Sequence, residues 1–164
     1  TPHRPIILTN VSCAPSRAEA EERAHQYLGA KWDSIENHYH FGDGHLATVK
    51  GYESYEALDK TYATLKDPVG RRKATDFYVS IQITGTPADC LEKIAELHRV
   101  ANLEHLICEF AWGGLPHHRA ETNMRLFASD VLPILQRDPA YARRRSTAEP
   151  LRKGPAHDNM FAPA

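Results

Sequence analysis

The sequence has almost no net charge: 20 Lys and Arg stand against 21 Asp and Glu, a formal −1 at neutral pH, with ten histidines besides. A chain without a field of one sign is not built to hold a polyanion or an acidic membrane surface. Nucleic acid and membrane are therefore not expected partners. Cysteine is scarce as well. Cys13, Cys90 and Cys108 are odd in number and share no close spacing, which argues against a disulfide framework and a zinc knuckle and fits a reducing, cytoplasmic setting. No apolar run approaches the roughly 18 residues that a membrane span needs, and no charged-then-apolar leader opens the chain. His38, His40 and His45 tempt as metal ligands, but positions two apart do not share a helix face, and no cysteine or carboxylate pattern joins them. No metal is expected.

What remains is material for one packed domain: 164 residues, 41% hydrophobic and 25% charged. PIILTNVSCA (5–14) is rich in β-branched residues and reads as a strand. Ser16 and Glu19 have the spacing of a capping box, which predicts a helix from about Arg17 with Ala20, Ala24, Tyr27 and Leu28 on one face and a break at Gly42 or Gly44. Residues 51–67 carry Tyr55, Leu58, Tyr62 and Leu65 at helical spacing, closed by Asp67-Pro68 and Gly70. No strand lies between these two helices, so about 25–70 reads as a helical insertion. FYVSIQI (77–83) then predicts a strand and Gly85 a sharp turn.

Thr86 suits an N-cap, Pro87 the first helical position and Asp89 the return half of a capping box. The helix they start carries Leu91, Ile94, Ala95, Leu97, His98 and Ala101 along one side and stops at Asn102. LEHLICEF (103–110) is the next strand. A strand, a helix and a strand predict a parallel pair with a right-handed crossover. WGGLP (112–116) turns into a last amphipathic helix with Ala120, Met124, Phe127, Val131 and Leu135, kinked by Pro133. The segment 137–164, proline-rich and charged, reads as a flexible tail.

The ordered set ITGTPADCLEKIAELHRVANLEHLICEFAWGGLPHHRAETNMRLFASDVLPIL resembles the C-terminal part of the luciferase-like flavin-dependent monooxygenases. NHYHFGDG followed by KGYESYEAL is similar to that family's aromatic helical insertion, and VSCAPSRAEAEERA to the strand and helix before it. The likeness covers about residues 5–136, and residues 1–136 form the expected domain. It implies an α/β fold, part of a (β/α)8 TIM barrel made of C-terminal βα units. A whole barrel takes about 250 residues, and only three strands are legible here. The chain is therefore expected to be the C-terminal fragment of a longer enzyme, inactive in isolation.

The same resemblance implies the chemistry: reduced FMN, supplied by a flavin reductase, and O2 oxidise a small organic substrate. The deazaflavin coenzyme F420 is the alternative cofactor, and a non-catalytic dimerisation or binding module the alternative function. Trp112, Gly113 and Gly114 are the expected cofactor-binding residues, and Thr84 and Glu109 the expected substrate-binding ones; no catalytic residue is singled out. Trp112 is also readable as a core aromatic, Cys108 as a small buried hydrophobe, and Glu109 as an exposed position or a salt-bridge partner. His117 and His118 decorate a first helical turn, and the run Arg143, Arg144, Arg145 is a solvated patch open to phosphate or a partner. An incomplete barrel leaves an open edge and an apolar face, with Ile7, Val79, Ile81, Leu106 and Cys108 as candidate barrel-facing residues. A missing N-terminal barrel half, or a second copy in a homodimer, is the expected cover.

Overall fold

Strand β1 (Ile6–Cys13) is the axis of the molecule, and its sequence explains why: four β-branched residues in eight positions favour an extended, buried chain. The computed structural model describes residues 4–40, 43–45, 48–63 and 67–139. Two short strands flank β1, both parallel to it. β2 (Ile83–Gly85) lies along its carboxyl end, with Val11 opposite Ile83 and Cys13 opposite Gly85. β3 (His105–Glu109) lies along its amino end, with Ile6 opposite His105 and Asn10 opposite Glu109. The sheet order is β2-β1-β3, and helices make up most of the rest: an α/β chain with a small parallel sheet.

A single long helical stretch follows β1. It comprises α1 (Arg17–Arg23), a π-helical turn (Ala24–Leu28) and α2 (Gly29–Tyr39). Ser16 caps it by accepting from the Glu19 N–H, without, among the described residues, the return bond from the Glu19 side chain that the predicted capping box would add, and Ala20, Ala24 and Leu28 are fully buried. The helix ends two residues before Gly42, at a left-handed His40 whose N–H reaches the Glu36 carbonyl. Asn and His tolerate that conformation better than most side chains. Helix α3 (Glu56–Ala63) follows a 3-10 turn at Glu53–Tyr55. Gly42, Leu65, Arg143 to Arg145 and all the expected tail beyond residue 139 lie outside the described residues.

The expected strand at 77–83 is not there. Phe77 to Ser80 finish a helix, α4 (Pro68–Ser80), and only Ile83–Gly85 is extended. The Asp67-Pro68 step, read as the end of one helix, is the start of another. The Asp67 carboxylate accepts from the Val69 and Gly70 N–H groups at 2.9 and 3.0 Å, and Pro68 stands where no N–H is needed. Helical packing then decides burial: Val79 points inward while Phe77 and Ile81 face out. It follows that the strands on either side of α5 (Pro87–Ala101) do not pair with each other, because β1 lies between them.

Helix α5 has the cap its sequence predicts. Thr86 Oγ1 accepts from the Asp89 N–H, Asp89 Oδ2 accepts from the Thr86 N–H, and Asn102 closes the other end in the left-handed region. Arg17 adds an ion pair to Asp89 at 2.5 Å, and together with Thr86 it holds that carboxyl well below the usual carboxylate range. α6 (His117–Asp130) and α7 (Leu132–Arg137) are separated at Val131, with Pro133 in the first turn of α7. Met124, expected on the buried face of α6, is exposed; Asn123 is fully buried in its place. Among the described residues no helix is long and apolar enough to cross a membrane.

The sheet has one covered face and one half-covered face. Val11 and Cys13 pack with Ile83, Cys90, Ile94, Phe127 and Val131, and Leu106 and Cys108 of β3 and Phe110 just after it join them. Strand alternation puts Ile7 on this same side. Three of the expected uncovered residues thus face helices α5 and α6. Val79 and Ile81 are not on a strand at all. Their alternates are the uncovered ones: Ile6, Leu8 and Ile107 are 59, 61 and 51% exposed.

Asn123 has a specific task on the covered side. β3 stops pairing at Asn10, and beyond it the Asn123 amide takes over the edge of β1, accepting from the Cys13 N–H at 2.7 Å and donating to the Val11 carbonyl at 2.6 Å. Asn123→Ala strands both buried backbone groups without water, so it should lower stability by about 2–4 kcal/mol. Asn123→Asp, which cannot donate to the Val11 carbonyl, should recover only part of the loss. Urea denaturation of the three proteins reads both effects; equal midpoints would remove the amide from any structural role.

Candidate functional site

Parallel strands present their carboxyl ends on one side, where ligand sites of such sheets gather. Here those ends are Cys13, Gly85 and Glu109. The polar groups nearest them form one connected network. Asn10 sits mid-strand on β1, and its side-chain N–H donates to Gln82 Oε1 at 2.9 Å and to the Tyr78 hydroxyl at 3.3 Å. Gln82 Oε1 also accepts from the Asn10 backbone N–H at 3.0 Å. The Lys31 ammonium, arriving from α2, donates to Asn10 Oδ1 at 2.8 Å and to Glu109 Oε2 at 2.5 Å. Lys31 and Glu109 keep 23 and 37% of their side-chain surface. The pair is thus reachable from solvent while its inner partners are buried.

An aromatic wall stands beside it. Trp32 stacks on Tyr78 with ring centroids 5.1 Å apart, and the buried Trp32 indole N–H has no hydrogen-bond partner among the described residues. A buried donor left unpaired costs on the order of 1–3 kcal/mol, so an acceptor that reached this N–H would relieve that cost. The network offers a fixed cation, a carboxylate and amide groups next to stacked rings, a set that orients a polar, flat ligand by hydrogen bonds rather than by reaction.

The residues expected from the sequence occupy unequal positions around this network. Glu109 belongs to it. Trp112 is 5% exposed, packs with Leu28, Val79 and Leu115, and donates its indole N–H to the Glu109 carbonyl at 3.0 Å. Its ring therefore holds the loop after β3 instead of facing a pocket. Gly113, at φ +57, lies so close to the π-helical turn that an added methyl would fall 1.7 Å from the Tyr27 carbonyl oxygen; its close approach is to the protein's own backbone. Gly114, at φ +75, faces open space. Thr84 is buried, its hydroxyl without a hydrogen-bond partner among the described residues, beside a cavity of about 460 Å3 that Arg17, Asp89 and Lys93 also line. Its register partner is Ser12, so Thr84 shares a sheet face with Glu109 but has β1 between them. His40 lies 3.6 Å from Asp43. Among the described residues no three His, Cys, Asp or Glu side chains are grouped to hold a metal.

Lys31, Asn10, Gln82 and Tyr78 were not expected. Asn10 alone carried a signal, since a short polar amide inside PIILTNV is out of place in a strand unless something bonds it. Lys31 is one of several charges on a polar helix and nothing in its spacing sets it apart.

No family model matches the chain, and no curated protein matches it significantly. The geometry therefore stands by itself, and Gly113 is the residue that tests it. The Gly113 backbone braces the helix at Tyr27 and Lys31, which sets the Lys31 ammonium against Glu109. Gly113→Ala should cost about 2–4 kcal/mol, because backbone must move to admit the methyl. Gly114→Ala should cost only the left-handed penalty of about 1–2 kcal/mol. Thermal melts of the two variants that coincide would refute the close approach.

Proposed function

We propose that this chain forms the carboxyl-terminal part of the wall of a luciferase-like flavin-dependent monooxygenase barrel, working with the remainder of that barrel on a small organic substrate. The observation that carries the reading is the two-sided character of the sheet. All three strands run parallel, α5 and α6 cover one face, and the other shows apolar Ile6, Leu8 and Ile107 next to the polar Lys31–Glu109 network. A barrel wall seen from its interior has apolar packing layers below and polar groups at the carboxyl ends; in this reading α1, α2 and α4, which pack over Asn10 and Ser12, fill part of that interior. Consecutive barrel strands are neighbours, whereas here β1 separates β2 from β3. In this reading β3 has taken the edge of β1 that an earlier strand would occupy.

Reduced FMN would supply the electrons that activate O2, and the deazaflavin coenzyme F420 is the alternative. Toward such a cofactor this chain offers Gly114 facing open space, the Lys31 ammonium and the unpaired Trp32 N–H. Gly113 and Trp112 act indirectly, by holding the loop. On this face Lys31 is already paired with Glu109 and Arg23 is buried, so the chain alone offers no open phosphate seat there and should bind FMN more weakly than micromolar. The intact product of the reading frame containing these residues should bind reduced FMN and take up O2 in the presence of a flavin reductase, with Glu109→Gln weakening both. The absorbance of the bound cofactor separates flavin from deazaflavin. If neither binds, the monooxygenase reading fails.

The exposed strip favours a second reading, a non-catalytic dimerisation module. Ile6, Leu8 and Ile107 adjoin the open edge of β3, and a stable contact over them needs roughly 1,200 Å2 in total. Sedimentation over a dilution series should show a dimer at micromolar concentration that Leu8→Lys returns to monomer. A monomer throughout would eliminate the module.

A further inference from the structure

The two most deeply buried thiols are neighbours although 77 positions separate them in sequence. Cys13 ends β1 and Cys90 lies in the first turn of α5; they are 1 and 0% exposed and share one core cluster. Gly85 joins them. It is the register partner of Cys13, and its carbonyl oxygen lies 3.9 Å from Cys90 Sγ. A buried cation binds the end of β1 from the Ser12 side of the sheet. Arg23 is 1% exposed, forms no ion pair among the described residues, and donates instead to Ser12 Oγ at 3.0 Å and to the Cys13 carbonyl at 2.7 Å. A guanidinium taken out of water without a counter-ion favours a negative charge nearby.

We propose that Cys13 and Cys90 form a reversible disulfide in response to a hydroperoxide. The Cys13 thiolate attacks the distal peroxide oxygen, the O–O bond breaks, and water (or an alcohol from an organic peroxide) leaves; Cys13 becomes a sulfenic acid. Cys90 sulfur then attacks the Cys13 sulfur, the S–S bond forms, and hydroxide departs with the Cys90 proton as water. Two thiols lose two electrons and the peroxide gains them.

The surroundings divide the roles. The Cys90 thiol donating to Cys13 and the Arg23 charge both hold the Cys13 thiol below its ordinary value, against burial and Asp130. Cys90 is pushed up by its bond to Cys13 and by burial, with Asp89 adding to the effect and Lys93 opposing it. Cys13 is therefore the attacking sulfur and Cys90 the resolving one. Cys108 has only burial acting on it, which raises it to about 11, and serves as the internal control. Gly85, which adjoins both thiols, also lines the cavity beside Thr84, and that cavity is the entry the proposal requires for a small peroxide.

The native chain is exposed to hydrogen peroxide, denatured in an alkylating reagent, digested and analysed by mass spectrometry. The expected product is an intramolecular Cys13–Cys90 peptide with Cys108 alkylated, reversed by dithiothreitol. The oxidised chain should melt roughly 5–10 °C higher, since the link closes a long loop of the unfolded chain. Cys90→Ser should leave a Cys13 sulfenic acid that dimedone traps. Oxidation of Cys108 first, Cys13 sulfinic acid without a linked peptide, or no reaction below the unfolding temperature would each overturn the proposal. The parent protein decides the matter alone if the variant does not fold.

Discussion

The carboxyl half of β1 is buried on every side, yet its two neighbouring strands are too short to pair with it along its length. Its polar backbone must be satisfied by something else, and the rest of the structure is arranged around that requirement. β3 stops at Asn10 and β2 begins at Val11. On one edge the Asn123 amide continues where β3 ends, and on the other Gln82 Oε1 accepts from the Asn10 N–H just before β2 starts. Two side-chain amides thus stand in for missing strand. Each comes from a different part of the chain, so α6 and the α4–β2 joint must both be in place before β1 can lose its water.

The same logic fixes the polar side chains of β1. Ser12 donates to the Ala20 carbonyl and accepts from Arg23, and Asn10 engages Lys31, Tyr78 and Gln82. Buried networks of this kind stabilise only when complete, because each orphaned group costs on the order of 1–3 kcal/mol. The candidate site is therefore continuous with the structural core. Lys31 and Glu109 are the exposed end of bonds that begin inside it, which gives a ligand there a rigid surface to meet.

Local signals were the legible part of this fold. The caps at Ser16 and Thr86 and the stop at Asn102 are set by neighbours within a few residues, and they stand where the spacing puts them. Helix α4 was misread because its aromatic end, FYVS, has strand propensity, while its Asp67-Pro68 start serves equally as the end of the preceding helix. Packing broke the tie: Val79 is needed against Leu28 and Trp112, and only a helix brings it there with Tyr78 turned to Asn10. The site was less legible. Glu109 ends a strand and the glycine turn follows it, so both can be found from order alone, whereas Lys31 and Asn123 acquire their meaning from partners 78 and 112 residues away.

The uncovered face follows from the period of two. Alternation along PIIL makes both sides of β1 apolar, so its amino half reads as a strand buried on two faces. Helices α5 and α6 take one of them, through Val11 and Cys13 and through Leu106 and Cys108 of β3. α1, α2 and α4 reach the other face only over Asn10 and Ser12, where their polar side chains bind. Ile6, Leu8 and Ile107 are left between these helices and the amino end of the sheet. Their exposure is thus not a surface accident but the remainder of a strand pattern built for two layers, only one of which is complete. A covering layer has to meet apolar side chains at the amino end and an ion pair at the carboxyl end. The barrel wall proposed above would satisfy both demands, and a second copy of the same face would satisfy the first.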